Sequence, residues 1–175
     1  MTLMNEFEQD LLESLEYAFQ SMDLNTNFID ARQGMSRSLR VVVTKVGKIE
    51  QNILFELYFT YNIGEDAEHP FSLLNMCATI FTEIPPENMD ELNKACMYLN
   101  PYLPIGTLGT LREQGMLYMQ YNAFLRHSYP PEATIGLAVD SFMAMSSSLA
   151  PITDGLAVIA RGMGDLKEVI DKGLF

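Results

Sequence analysis

Few residues in this chain have types and spacing that could do chemistry. The two histidines, His69 and His127, are far apart in sequence, and the two cysteines, Cys77 and Cys96, lack the close spacing of a zinc site. His69 precedes Pro70 in a loop and reads as a solvated turn residue. His127 follows Arg126 at a strand end and reads the same way. Both cysteines fall in apolar patterns and read as small core residues, since a reactive thiol needs a neighbouring cation and some exposure. No G-x-S-x-G turn or S-x-x-K stretch offers an activated serine. Glu65, Asp66 and Glu68 lie close together, but such groupings are common in an acidic chain and do not single out a general acid and base. Gly106-Thr107-Leu108-Gly109 and Gly162-Met163-Gly164 lack the flanking pattern of a phosphate loop. The expectation is a protein that is not an enzyme, with no catalytic residue, no metal and no cofactor.

Charge narrows the partners. Eleven Lys and Arg stand against twenty-three Asp and Glu, a net charge of −12, which disfavours nucleic acid and anionic membrane. Five of the cations, Arg32, Arg37, Arg40, Lys45 and Lys48, cluster between acidic segments. They read either as a solvated strand and loop balancing the acidic first helix or as a docking patch for an acidic partner. No apolar run is long enough for a transmembrane helix, and the acidic N-terminus has the wrong sign for a secretory signal. Two cysteines without an export signal point to a reducing cytoplasm.

The elements that must position these residues follow from hydropathy period. Leu3, Phe7, Leu11, Leu15, Tyr17 and Met22 make one stripe of a helix whose other positions are acidic and read as solvated. Leu39, Val41 and Val43 alternate as a strand. Ile53, Phe55, Leu57, Phe59 and Tyr61 do so most clearly of all, before the turn residues Asn62, Gly64 and Asp66. Ser72 to Ile84 alternates as a strand but also fits a helix. Pro86 opens a helix with the stripe Met89, Leu92, Cys96 and Leu99, which Asn100-Pro101 ends. Strands near 107–112 and 116–125 flank a turn at Glu113-Gln114-Gly115, where Gly115 suits a positive φ. Pro130-Pro131-Glu132 opens a helical C-terminal third, with a stripe of Ile135, Val139, Phe142, Met145 and Leu149, and Pro151, Gly155, Gly162 and Gly164 shorten the helices that follow. With 48% apolar residues and no linker, 1–175 reads as a single α+β domain.

The order α-β-β-β-α-β-β-α resembles the type III secretion chaperone-like fold. The stretch Asn100, Leu103, Pro104 and Gly106, a short strand, Gly115, then Leu117 and Tyr118, resembles the bacterial YbjN-like family of sensory-transduction regulators. The basic residue that the family carries after the hairpin tyrosine is absent, since Gln120 and Tyr121 follow Met119. The resemblance implies an antiparallel sheet flanked by helices, frequent homodimers and non-enzymatic protein binding.

One feature points to a surface. A sheet with one wet face should carry polar residues there. Instead Leu54, Tyr58, Leu73, Cys77, Phe81, Met116, Tyr118 and Phe124 all fall opposite the assigned core face. Its own helix, a second subunit or a client polypeptide would cover such a face, and Leu54, Tyr58, Leu73, Phe81, Tyr118 and Phe124 are the candidate partner-binding or dimer residues. Twelve methionines fit either a core or an adaptable surface. The expectation is a homodimeric, protein-binding, chaperone-like or regulatory adaptor. The rival is a small-ligand sensor with a pocket between sheet and helices.

Overall fold

The computed structural model describes residues 5–31, 36–60 and 70–175. Leu3, Arg32, Tyr61, the 62–66 turn, the 65–68 carboxylates and His69 lie outside the described residues. The elements are α1 (Glu6–Ser21), β1 (Asn25–Ile29), β2 (Ser38–Val46), β3 (Gln51–Thr60), β4 (Phe71–Phe81), α2 (Met89–Leu99), β5 (Thr107–Leu111), β6 (Met116–Arg126), α3 (Pro131–Leu149), α4 (Thr153–Ala160) and α5 (Leu166–Asp171). The class is α+β, and the six strands form one antiparallel sheet in the order β1-β2-β3-β4-β6-β5. By its contacts the chain falls into two compact units: Met1–Val42, Phe55–Cys77 and Asn122–Met143 make the first, and Val43–Leu54, Ala78–Tyr121 and Ala144–Phe175 the second.

In the first unit α1 starts with a capping box. Asn5 Oδ1 accepts from the Glu8 backbone N–H at 2.9 Å, and the Glu8 carboxylate accepts from Asn5 N–H at 3.4 Å. The buried face is Glu8, Leu11, Leu12, Leu15 and Phe19, a set spaced by three and four. This corrects the stripe read from sequence: Tyr17 is 77% exposed because it lies about half a turn from that face, and Met22 is exposed because it is the C-cap residue, past the end of the helix. The core centres on three rings. Phe142 of α3 lies 4.5 Å from Phe19 of α1 and 4.7 Å from Phe55 of β3, in the tilted geometry that aromatic pairs prefer. Strand β1, which the sequence reading passed over, pairs antiparallel with β2, setting Phe28 opposite Leu39.

In the second unit α2 packs on β5, α4 and α5. Strand β4, which fitted two periods, is a strand and ends at Phe81, short of the expected Ile84. Pro86 opens a 3₁₀ turn over Pro86–Asn88 that leads into α2. The hairpin is held from α2's end by Asn100, whose side chain accepts from Leu108 N–H at 2.7 Å and donates to Leu108 O at 3.1 Å. Gly115 takes the expected left-handed conformation (φ 55°), and a Cβ there would stand 2.8 Å from the Ile84 carbonyl. Strand β2 changes phase: Val41 and Val46 are both buried although five residues apart, and Val43 is not. Lys45, at φ 59°, absorbs the extra residue as a bulge does.

Replacing Asn100 with alanine strips both groups of Leu108 of their partners at once. We expect Asn100→Ala to lower unfolding free energy by about 1–3 kcal/mol in urea titration, with the m-value unchanged.

Candidate functional site

Burial along the strands separates the two sheet faces. Ile53, Phe55, Leu57 and Phe59 of β3, and Leu74, Met76, Ala78 and Ile80 of β4, are fully buried. Leu117, Met119, Ala123 and Leu125 of β6 are buried as well. The residues between them are largely half-buried, apolar ones included.

In the first unit this second face carries Tyr58, Leu73 and Phe124 together with Phe71 and Cys77. Phe124, 47% exposed, stacks on Phe71 with ring centroids 4.0 Å apart, and the Arg126 guanidinium lies 5.9 Å above the Phe124 ring. Polar groups on these strands are paired. Arg40 Nε meets Glu56 Oε1 at 2.7 Å, and buried Asn75 donates to Thr60 Oγ1 at 2.5 Å. Burial, then the charges of Cys77 and Glu56, push the Tyr58 hydroxyl up from its ordinary range. Burial, then Glu56, does the same to the Cys77 thiol.

In the second unit Leu54, Phe81 and Tyr118 are half-buried. Tyr118 lies across its cross-strand partner Gly109, so closely that a Cβ on the glycine would stand 2.7 Å from the phenol ring. Among the expected face residues, Phe124 meets Phe71, while Tyr118 covers bare glycine backbone. Cys96 is buried in α2 and its thiol is pushed up to about 11 by burial. The methionines divide: Met89, Met119 and Met145 are core, whereas Met97 and Met143 are exposed. A mainly apolar cavity of about 440 Å³ is lined by Leu99, Tyr102, Leu103, Pro104 and Ile152 among others.

The basic cluster is dispersed. Arg37 pairs with Glu13 of α1 at 3.3 Å and lies over the Phe28 ring, so it does balance the acidic helix. Lys45 and Lys48 are exposed.

A second site, unforeseen in the sequence, lies in the first unit. Glu8 is 4% exposed and Ser72 2%, which corrects the reading of Glu8 as part of a solvated acidic face. Ser72 Oγ donates to Glu8 Oε1 at 2.8 Å and lies 2.9 Å from His127 Nε2. His127 is therefore not a solvated strand-end residue. Its main-chain N–H donates to Pro70 O at 3.1 Å, and its ring packs on Phe7 with centroids 4.3 Å apart. His127 and Phe7 border a cavity of about 250 Å³ that is also lined by Asp10, Leu11, Thr134 and Ile135. The signal available in sequence was the polar Ser72 on an apolar strand, and it has no spacing relation to Glu8 or His127.

Among the described residues no group of three or more His, Cys, Asp and Glu is placed to hold a metal ion, and no single helix is long and apolar enough to cross a membrane. No known family model matches the chain, and no curated protein matches it either.

Two measurements check these environments. A thiol reacts as its thiolate, so raising the pKa slows reaction at a given pH. At pH 8, Cys77 should react with iodoacetamide more slowly than free cysteine, and Cys96 should stay protected until the protein unfolds. Ser72→Ala removes the hydroxyl between two half- or fully buried groups. It should cost about 1–3 kcal/mol in equilibrium unfolding, and a loss below about 0.5 kcal/mol, the range of ordinary surface changes, would count against the tie.

Proposed function

We propose that this chain is a non-enzymatic protein-binding domain, a regulatory or chaperone-like adaptor in the cytoplasm that pairs with a second copy of itself. The docking surface is the half-buried sheet face of the first unit. The observation that carries this reading is Phe124, a ring 47% exposed and stacked on Phe71 beside Leu73 and Tyr58, where a one-sided sheet would present polar side chains. At about 25 cal/mol per Å², covering several such side chains recovers several kcal/mol. The polar groups around them are already satisfied within the sheet, as Arg40 is with Glu56 and Asn75 with Thr60, so an apolar partner need not supply hydrogen bonds. The Asn100 to Tyr118 stretch supports kinship with the YbjN-like family and the type III secretion chaperone-like fold, and β1 adds one strand to the order expected of it. Two free cysteines support a reducing compartment, and the net charge of −12 argues against nucleic acid as the partner.

A second reading, a small-ligand sensor, draws on the apolar cavity of about 440 Å³ in the second unit. A small molecule retained in native mass spectrometry, with the protein remaining monomeric, would favour it over the adaptor.

Two chains of charge −12 repel, but salt screens exposed charges beyond ~8 Å at physiological ionic strength. An apolar interface on the order of 1,600 Å² outweighs the remainder. Sedimentation velocity should therefore show a dimer at tens of micromolar that holds or tightens as salt rises. Phe124→Glu changes an exposed position and should leave a folded monomer, as should Tyr58→Glu. A wild-type monomer at low and high salt alike would end the proposal.

A further inference from the structure

The chain Glu8–Ser72–His127 fixes which of its atoms can give a proton. Glu8 accepts on both carboxylate oxygens, Oε2 from Asn5 N–H and Oε1 from Ser72 Oγ. A hydroxyl has one proton, and Ser72 gives it to Glu8. The 2.9 Å contact between Ser72 Oγ and His127 Nε2 must then run the other way, with Nε2–H donating to the serine oxygen. In the neutral ring this leaves Nδ1 as a bare acceptor. Among the described residues every buried side-chain nitrogen and oxygen has a partner and none of those residues bonds Nδ1, so Nδ1 is not fully buried. His127 borders the cavity of about 250 Å³.

Two other polar groups of that cavity have the same sense, while the hydroxyls of Ser14 and Tyr129, which also line it, can turn either way. Thr134 spends its hydroxyl proton on Pro130 O at 3.2 Å, which leaves its oxygen only lone pairs to offer. Asp10 is exposed and carries a carboxylate. No Lys or Arg is among the lining residues. The cavity thus holds acceptors of fixed polarity and one negative charge beside an apolar floor made by Phe7, Leu11 and Ile135. An anion would find only the Ser14 and Tyr129 hydroxyls as side-chain donors and would meet the Asp10 carboxylate, and an uncharged hydrocarbon would leave the acceptors without water.

We propose that this cavity is a binding site for a small organic cation, a protonated amine on a compact apolar or aromatic body. The ammonium donates to Asp10 and His127 Nδ1, and the body lies against Phe7 and Ile135. Glu6 and Asp10 in the first turns of α1 favour the same sign of ligand. This site is independent of the sheet face and stands or falls without it.

The full chain, titrated with benzylammonium and with benzoate as a control of like shape and opposite charge, tests the assignment by ¹⁵N NMR of the histidine side chains and by calorimetry. The free protein should show His127 protonated on Nε2 with an unprotonated Nδ1. Benzylammonium should saturate at millimolar concentration or below and shift the Nδ1 resonance, and benzoate should not bind. Asp10→Asn, an exposed substitution that leaves the buried chain intact, should weaken benzylammonium about tenfold, the scale of one charged hydrogen bond. A proton on His127 Nδ1 of the neutral ring, equal binding of benzoate, an unchanged affinity in Asp10→Asn, or no saturation at millimolar benzylammonium would each overturn the proposal.

Discussion

The first unit rests on one contact: the Phe142 ring, held between Phe19 and Phe55. Because those three rings come from α3, α1 and β3, α3 cannot shift along the strand, nor α1 along α3, without breaking an aromatic contact. The alternation of β3 supplies the anchor, since every second side chain from Ile53 to Phe59 is withdrawn from water. Apolar burial of this kind is strong but non-directional. It holds helices on a sheet without specifying how far each turns about its own axis.

Direction comes from a few polar ties. Glu8 sits on the buried side of α1, where an unpaired carboxylate would be costly, and its oxygens are satisfied by the helix's own cap and by Ser72 of β4. That pair fixes the rotation of α1, because turning the helix by one residue would take Glu8 away from the strand. In the second unit Asn100 does the same for the hairpin by closing on both backbone groups of Leu108. Asp154 does so for the turn after β2, accepting from the backbone N–H groups of Lys48 and Ile49 at 3.1 Å.

These two kinds of constraint explain what could be read from sequence. Strand β3 was legible, core face included, because its burial follows a strict period of two; β6 keeps that period except at half-buried Tyr121, and β4, whose pattern also fitted a helix, departs from it at buried Asn75. The breaks at Pro85-Pro86 and Gly115 were legible because proline and glycine carry their own backbone geometry. Strand β1 was not: Asn25, Thr26 and Asn27 lie on an edge strand whose burial is slight, so no alternation marks it. The phase of α1 was misread because a buried glutamate looks like a solvated one until its partners are known. The shift in β2 depends on the backbone conformation of Lys45, a residue type with no preference for positive φ. Tyr58 and Phe124 could be placed opposite the core by counting, but the Glu8–Ser72–His127 chain joins three segments that share no periodicity.

The two surfaces also differ in what they can discriminate. Arg40 and Asn75 on the sheet face are already paired within the sheet, so a partner docked there as proposed would be ranked by shape and area more than by charge. Around His127 hydrogen-bond sense enters as well: the direction of the imidazole's bond to Ser72 is set by the buried Glu8 behind it. Replacing Glu8 by a group that donates would let Ser72 turn its proton toward His127 and move the imidazole proton to Nδ1, without changing the outline of the cavity. Polarity there is inherited through Ser72 from a residue that never touches the cavity's contents. Selectivity at this site is accordingly coupled to the packing of α1 on β4, and a change that loosens that contact would blur the site before it emptied it.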